Sequence, residues 1–374
     1  MENGSKLEDL GYGEFFEFNR VNLGLGGFAV ARVIAEYKGV YRVKNAEGEY
    51  SAKITGKQMF DARSREDYPA VGDWAAITVL GEGQAVIHKV LPRKTIIKRK
   101  CVGKIDVQII ATNIDVAFAV ESMDSDFSLN RFERYFAIAN DGGIKTAVIL
   151  NKTDLISKEG LEEKMAQIKT RFGDVDIIAT STLAETGLDT LKRYLEKGKT
   201  YCFLGSSGVG KSSLINKLIG KEIIDTKEID FRTDRGRHTT TSREMYFLEN
   251  GPLPSGSEAR LTGGGIVIDN PGMREVGMAD AAAGIDDLFS EIAALALNCK
   301  YADCTHTHET GCAVLSAIES GKLDEDKFNN YTKLKTESEF YELNELEKRR
   351  KDRNFGKFLK TAKKQLKSQG HKDY

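Results

Sequence analysis

Short runs of alternating apolar and polar residues dominate the chain from Phe28 to Pro92. Tyr50, Ala52 and Ile54 interleave with Ser51, Lys53 and Thr55, the period of a strand with one buried face. This pattern predicts strands at Ala29–Ala35, Val40–Val43, Tyr50–Thr55, Asp73–Leu80 and Ala85–Val90, with turns at Asn45–Gly48 and Gly81–Gly83. Five such strands suit a small barrel of the OB type, and an SH3-like barrel fits the same pattern. Residues 1–27 read as an irregular lead-in that ends in Gly24, Gly26 and Gly27.

From residue 107 the runs become continuously apolar. Ile114–Val120, Thr146–Leu150, Val175–Ala179, Thr200–Leu204 and Gly265–Ile268 read as buried parallel strands. Helical stretches at Arg131–Asn140, Leu161–Phe172 and Ser213–Ile219 separate several of them, which predicts an open α/β sheet. Arg243–Glu249 and Ala259–Val267 add an antiparallel hairpin around a loop at Asn250–Gly256, and from Ile285 the chain turns helical. The expected organisation is a lead-in (1–27), a barrel with a basic linker (28–104), an α/β domain (105–283) and a helical domain with a basic tail (284–374).

Composition adds exclusions. With 374 residues, 40% hydrophobic and 30% charged, wholesale disorder and collagen-like or mucin-like chains are ruled out. No run approaches the roughly 18 apolar residues of a membrane span, and the acidic, aromatic N-terminus lacks a signal-peptide layout. Five cysteines, an odd and small number, argue against a disulfide framework and for a reducing cytosol. The expectation is therefore a cytoplasmic protein without a membrane partner.

The net charge of −1 conceals an asymmetry: Lys348–Tyr374 carries +9, which leaves −10 on residues 1–347. A basic tail on an acidic body is an electrostatic handle for a polyanion, although a solvated helical end has the same composition. A second basic cluster, within His88–Lys104, reads either as a nucleic-acid-facing linker or as a solvated connection.

The strand Thr200–Leu204 is followed by Gly205, Ser206, Ser207, Gly208, Val209, Gly210, Lys211, Ser212 and Ser213. This is the phosphate-loop pattern GxxxxGK(S/T) in its strand–loop–helix context. Its glycines let backbone N–H groups converge on phosphate oxygens at a helix N-terminus. Lys211 is placed to neutralise β/γ-phosphate charge, and Ser212 to ligate Mg²⁺.

Asn151, Lys152, Thr153 and Asp154 follow another strand as NKxD, the guanine-reading motif. The Asp154 carboxylate can accept from guanine N1–H and its exocyclic amine together, a pairing adenine cannot satisfy, which opposes an ATPase of similar layout. Lys152 can lie along the base plane, and Asn151 buttresses the loop. Thr180–Thr182 sits where a further base loop is expected. Asp269 and Gly272 form DxxG, placing Asp269 on Mg²⁺ and the Gly272 N–H on the γ-phosphate. Between these motifs lies Arg235–Thr241, where Thr240 is the favoured switch threonine over its neighbours. Met273 occupies the position after DxxG that often holds a water-orienting glutamine, so His238 becomes the nearest candidate for that role.

The order of these motifs is permuted. The guanine elements precede the phosphate elements, whereas ordinary GTPases run the other way round. Such a rearrangement is feasible when the original termini lie close together.

Cys299, Cys304, His306, His308 and Cys312 fall within one short stretch. Three thiolates and one imidazole make a closed, structural zinc site, and spacing alone leaves His306 and His308 as alternatives. Cys101 and Cys202 read as ordinary thiols.

Together these residues resemble the ribosome small-subunit-dependent GTPase A family, circularly permuted bacterial GTPases, over about residues 28–374. The resemblance implies an OB domain, a central G domain and a zinc domain. It assigns zinc, one ion per chain, to Cys299, Cys304, His306 and Cys312. It further implies Mg²⁺ with GTP, GDP as product, late assembly of the small (30S) subunit, binding to that subunit's rRNA, and stimulation by the subunit. The expected state is a monomer. The rival class is a zinc-stabilised RNA-binding protein in which nucleotide is only a structural ligand.

Overall fold

The computed structural model describes residues 6–37, 39–100, 107–124, 127–222, 224, 244–248, 264–269 and 281–342. Ahead of the first strand the chain is not irregular. A tight 3-10 turn at Leu7–Leu10 leads into α1 (Glu14–Asn22). Leu10 and Phe16 bury against Val30, Trp74 and Leu91. Phe15, Phe18 and Val21 face outward, so the segment has no clean apolar stripe, and a tertiary contact through Phe16 orders it instead.

The barrel strands are β1 (Ala29–Tyr37), β2 (Val40–Lys44), β3 (Glu49–Ile54), β4 (Trp74–Gly81) and β5 (Gln84–Val90), with the short helix α2 (Gly56–Asp61) after β3. They follow the order β1-β2-β3-β5-β4, and β4 returns to pair with β1. β3 and β5 run parallel; the other pairs are antiparallel. Closure leaves no free barrel edge, and Val33, Tyr41, Val43, Ile77 and Ile87 fill the interior. The Asn45 carboxamide oxygen accepts from the N–H groups of Glu47 (2.9 Å) and Gly48 (3.0 Å), which fixes the predicted β2–β3 turn. This layout is OB-like.

The basic stretch after β5 is not an open linker. β6 (Ile96–Lys100) and β7 (Val107–Thr112) form an antiparallel hairpin. Arg93 donates to both carboxylate oxygens of the buried Asp73, at 2.8 and 2.7 Å, and to the carbonyls of Glu66 and Tyr68. Lys94 lies over the rings of Phe15 and Phe16, and Lys98 is 3.4 Å from Glu66. Arg93 therefore spends its charge on internal acceptors.

The main sheet contains β8 (Val116–Ser122), β9 (Lys145–Asn151), β10 (Ile177–Ala179), β11 (Thr200–Leu204), β12 (Glu244–Phe247) and β13 (Ile266–Asp269). Its order is β10-β9-β8-β11-β13-β12, parallel except for the antiparallel β12–β13 pair. β8 starts later than its sequence suggests, because Asn113 adopts a left-handed φ of 54° and separates it from β7. Helices α3 (Leu129–Asp141), α4 (Lys158–Phe172), α5 (Leu188–Tyr194) and α6 (Lys211–Ile219) accompany the strands. β8 and β11 are buried along their whole length, which explains their unbroken apolar sequences.

A pairing of Ala35 in β1 with Glu244 in β12 joins barrel and main sheet. Arg32, only 1% exposed, crosses the same junction. It donates to the carbonyls of Leu10 (2.6 Å), Gly72 (3.3 Å) and Asn113 (3.1 Å) and to the Thr200 hydroxyl (2.8 Å). Burial lowers its pKa to about 10, opposed by the nearby carboxylates of Asp115 and Asp73.

The described C-terminal helices are α7 (Ala282–Leu288), α8 (Ser290–Ala296), α9 (Ala313–Glu319) and α10 (Glu325–Glu342). α7 packs so tightly on α3 that a Cβ on Gly284 would lie 2.0 Å from the Ala137 carbonyl oxygen. Among the described residues, no helix is long and apolar enough to cross a membrane.

Candidate nucleotide site and metal centre

β11 delivers the chain into the loop Gly205–Gly210, and Lys211, Ser212 and Ser213 form the first turn of α6. Gly208 and Gly210 take left-handed φ values of 85° and 93°. Gly205 is needed for another reason: a Cβ there would meet the Val120 carbonyl of β8 at 2.6 Å. Val209 is buried and pins the loop to the core, whereas Ser207 and Gly208 are exposed. Lys211 Nζ donates to the carbonyls of Gly205 (2.7 Å) and Ser206 (2.6 Å), which curls the loop around its ammonium. The first-turn N–H groups of α6 and this ammonium form a cradle for an anion.

Asn151 ends β9 fully buried beside that loop. Its Nδ2 donates to the Val209 carbonyl at 2.8 Å, and its Oδ1 accepts from the Thr180 hydroxyl at 3.1 Å. A Cβ on Gly210 would come within 2.3 Å of the same Nδ2, so only glycine fits beneath the amide. Lys152 adopts a left-handed φ of 58°, with its ammonium 3.5 Å from Asp124. Thr153 donates to the Thr180 carbonyl from both its N–H (3.2 Å) and its hydroxyl (3.1 Å). The Ser181 hydroxyl donates to Asp154 Oδ1 and accepts from the Ala184 N–H at 2.9 Å. Thr180 and Ser181 thus do more than their common strand-end composition indicates: they bind Asn151 and Asp154 into one loop cluster.

Asp269 closes β13 on the other side of the phosphate loop. Burial raises its pKa to about 6; the Lys211 ammonium opposes this, and Glu244 adds to it. A carboxylate so placed, facing a lysine over an anion cradle, suits a divalent cation that restores its charge. His238, Thr240 and Gly272 lie outside the described residues.

The second centre joins α8 to α9. The ligand atoms of Cys299, Cys304, His306 and Cys312 lie within 4.8 Å of one another. Cys299 Sγ is 3.9 Å from Cys312 Sγ and 3.6 Å from His306 Nδ1, which is 3.4 Å from Cys312 Sγ. A zinc tetrahedron with Zn–S bonds of about 2.3 Å has edges of roughly 3.5–3.8 Å, so the donor set and its spacing fit zinc. His306 enters the cluster through a left-handed φ of 57°, whereas His308 bonds the Thr307 hydroxyl outside it. The N–H groups of Ala313 and Leu315 each donate, at 3.4 Å, to the sulfurs of Cys299 and Cys312 respectively. Such donors support thiolates. Glu309 organises the loop by accepting from Thr305, Thr307 and His308; these bonds, led by the Thr305 hydroxyl, hold its pKa well below the usual carboxylate range. Cys202, by contrast, is buried in the sheet, and its thiol pKa is pushed far up.

Sequence reasoning missed Glu309 and Tyr135. No motif marks Glu309. The Tyr135 hydroxyl, on α3, lies 3.3 Å from Ser206 Oγ across a long sequence separation.

The family model for RsgA GTPase matches residues 90–279. Small ribosomal subunit biogenesis GTPase RsgA 2 from Lactiplantibacillus plantarum is 41% identical over 349 residues, 93% of this chain and 94% of that protein. RsgA 1 from Bacteroides thetaiotaomicron is 36% identical over 336 residues, 89% of this chain and 90% of that protein. The crystal structure of YjeQ from Thermotoga maritima is similar with a TM-score of 0.58 and 24% identity, covering 82% of this chain and 96% of that one. YloQ, a circularly permuted GTPase, gives 0.54 at 19% identity over 83% and 94% of the two chains. These structural likenesses show the permuted fold.

Proposed function

Because the chain belongs to the RsgA GTPase family, we propose that it hydrolyses GTP to GDP and phosphate in late maturation of the small ribosomal subunit. The observation that carries this reading is the Asn151–Val209 hydrogen bond, which joins the NKxD loop to the glycine-rich loop before α6.

Where those loops meet, Asp154 accepts from the guanine base, Lys152 lies along it, and Thr153 and Ser181 hold the carboxylate loop in place. Lys211 leaves the carbonyls of Gly205 and Ser206 for the β/γ-phosphates, while the amides of Gly205–Ser213 wrap the phosphate oxygens. Ser212 and Asp269 would hold Mg²⁺, which when bound neutralises developing phosphate charge. By their positions in the sequence motifs, Thr240 would cover the cation site, the Gly272 N–H would meet the γ-phosphate, and His238 would orient the attacking water.

Cys299, Cys304, His306 and Cys312 hold one structural zinc, which fixes the segment between α8 and α9. The partner is the small subunit and its rRNA. The tail Lys348–Tyr374, carrying +9, adds affinity by counterion release, so its removal lowers the salt slope of subunit binding. The protein acts as a monomer in the cytoplasm.

The test is phosphate release from GTP with and without purified small subunits. The reading expects slow intrinsic turnover and clear stimulation by subunits. A module that uses nucleotide only as a structural ligand shows no turnover in either arm.

A further inference from the structure

We propose that Tyr135 is a positioning residue for the phosphate loop, acting through Ser206 and anchored by the C-terminal helix α10. The proposal rests on the nucleotide-binding reading of that loop. The Tyr135 ring is buried in the core beneath the sheet, and its hydroxyl is 3.3 Å from Ser206 Oγ. Ser206 in turn offers its carbonyl to Lys211 Nζ at 2.6 Å, so the tyrosine touches the loop residue on which the ammonium rests. A relaxed hydroxyl pair sits at about 2.8 Å, so this contact has slack, and a small shift of the loop closes or breaks it.

The two residues before Tyr135 on α3 both reach α10. Glu133 is fully buried, receives the Arg171 guanidinium at 2.7 Å, and accepts from the Asn330 amide of α10. Arg134 Nη1 donates to Glu337 of α10 at 2.8 Å. Successive helical residues turn by about 100°, so three neighbours sweep over half the circumference of α3. One turn of α3 therefore binds α10 on one side and the phosphate loop on the other. Any change in how α10 packs reaches Ser206 through a single rigid segment.

Full-length protein, a fluorescent GDP analogue and thermal unfolding test this. Tyr135→Phe keeps the ring and removes only the hydroxyl. It is expected to speed GDP release about three- to tenfold, the worth of one buried hydrogen bond. The nucleotide-free melting temperature should move by less than about 3 °C. Ser206→Ala should reproduce the effect, and the double variant should add nothing to either single change. Glu337→Gln should speed release in the wild-type background and leave Tyr135→Phe unchanged. Wild-type GDP kinetics in Tyr135→Phe, or additive effects of Tyr135→Phe and Ser206→Ala, overturn the proposal. An equal effect of Glu337→Gln in both backgrounds overturns its link to α10. If the wild-type chain takes up no GDP at all, the nucleotide reading itself falls, a result distinct from these.

Discussion

The amide of Asn151 donates to the carbonyl of Val209 at 2.8 Å, so two loops 58 positions apart in sequence behave as one. The loop after β9 comes first in the chain and the loop after β11 later, yet this bond and the adjoining Thr180 contact hold them side by side. Replacing Asn151 with Ala strands the Val209 carbonyl and the Thr180 hydroxyl in a buried site. The expected cost is about 1–3 kcal/mol of stability and at least tenfold in GDP affinity. Denaturant unfolding and a fluorescent-GDP titration measure both, and intact affinity would disprove the buttress.

Asp154→Asn exchanges an acceptor for an amide. GTP affinity is expected to fall, while xanthosine triphosphate, which presents an acceptor where guanine has its amine, gains. Competition among GTP, XTP and ATP reads this directly; unchanged GTP preference removes Asp154 from base reading.

Gly284→Ala places a methyl 2.0 Å from the Ala137 carbonyl, and backbone cannot yield as a side chain does. The separation of α7 from α3 is expected to cost about 1–3 kcal/mol or more. A urea midpoint equal to wild type contradicts the close packing.

Purified protein should contain one zinc per chain, because the four donors leave no open position. Chelation or Cys304→Ser should loosen the α8–α9 segment, seen as faster proteolysis there, while GDP binding persists in the other centre. A zinc-free chain with the same protease resistance refutes the structural ion.

His238→Ala is expected to bind GTP and small subunits normally but to lose stimulated hydrolysis in single-turnover assays. Stimulation at the wild-type rate would assign water positioning to another group.

Much of this protein was legible before folding was considered. The five barrel strands, the α/β alternation, the glycine-rich loop before α6 and the Cys/His cluster all follow from local periodicity and spacing. Those features are set by residues within a few positions of one another. What the local pattern could not decide depends on distant partners. Phe16 orders α1 only because Trp74 and Leu91 await it, and Arg93 loses its surface role only because Asp73 is buried beside it. The choice of His306 over His308 needs a left-handed backbone turn that spacing does not encode, and the family resemblance anticipated it where spacing could not. Tyr135 meets Ser206 from 71 positions away, through a helix whose own sequence reads as ordinary core. Side-chain type and period determine the elements; desolvated polar groups seeking partners across the fold decide how the elements lock together.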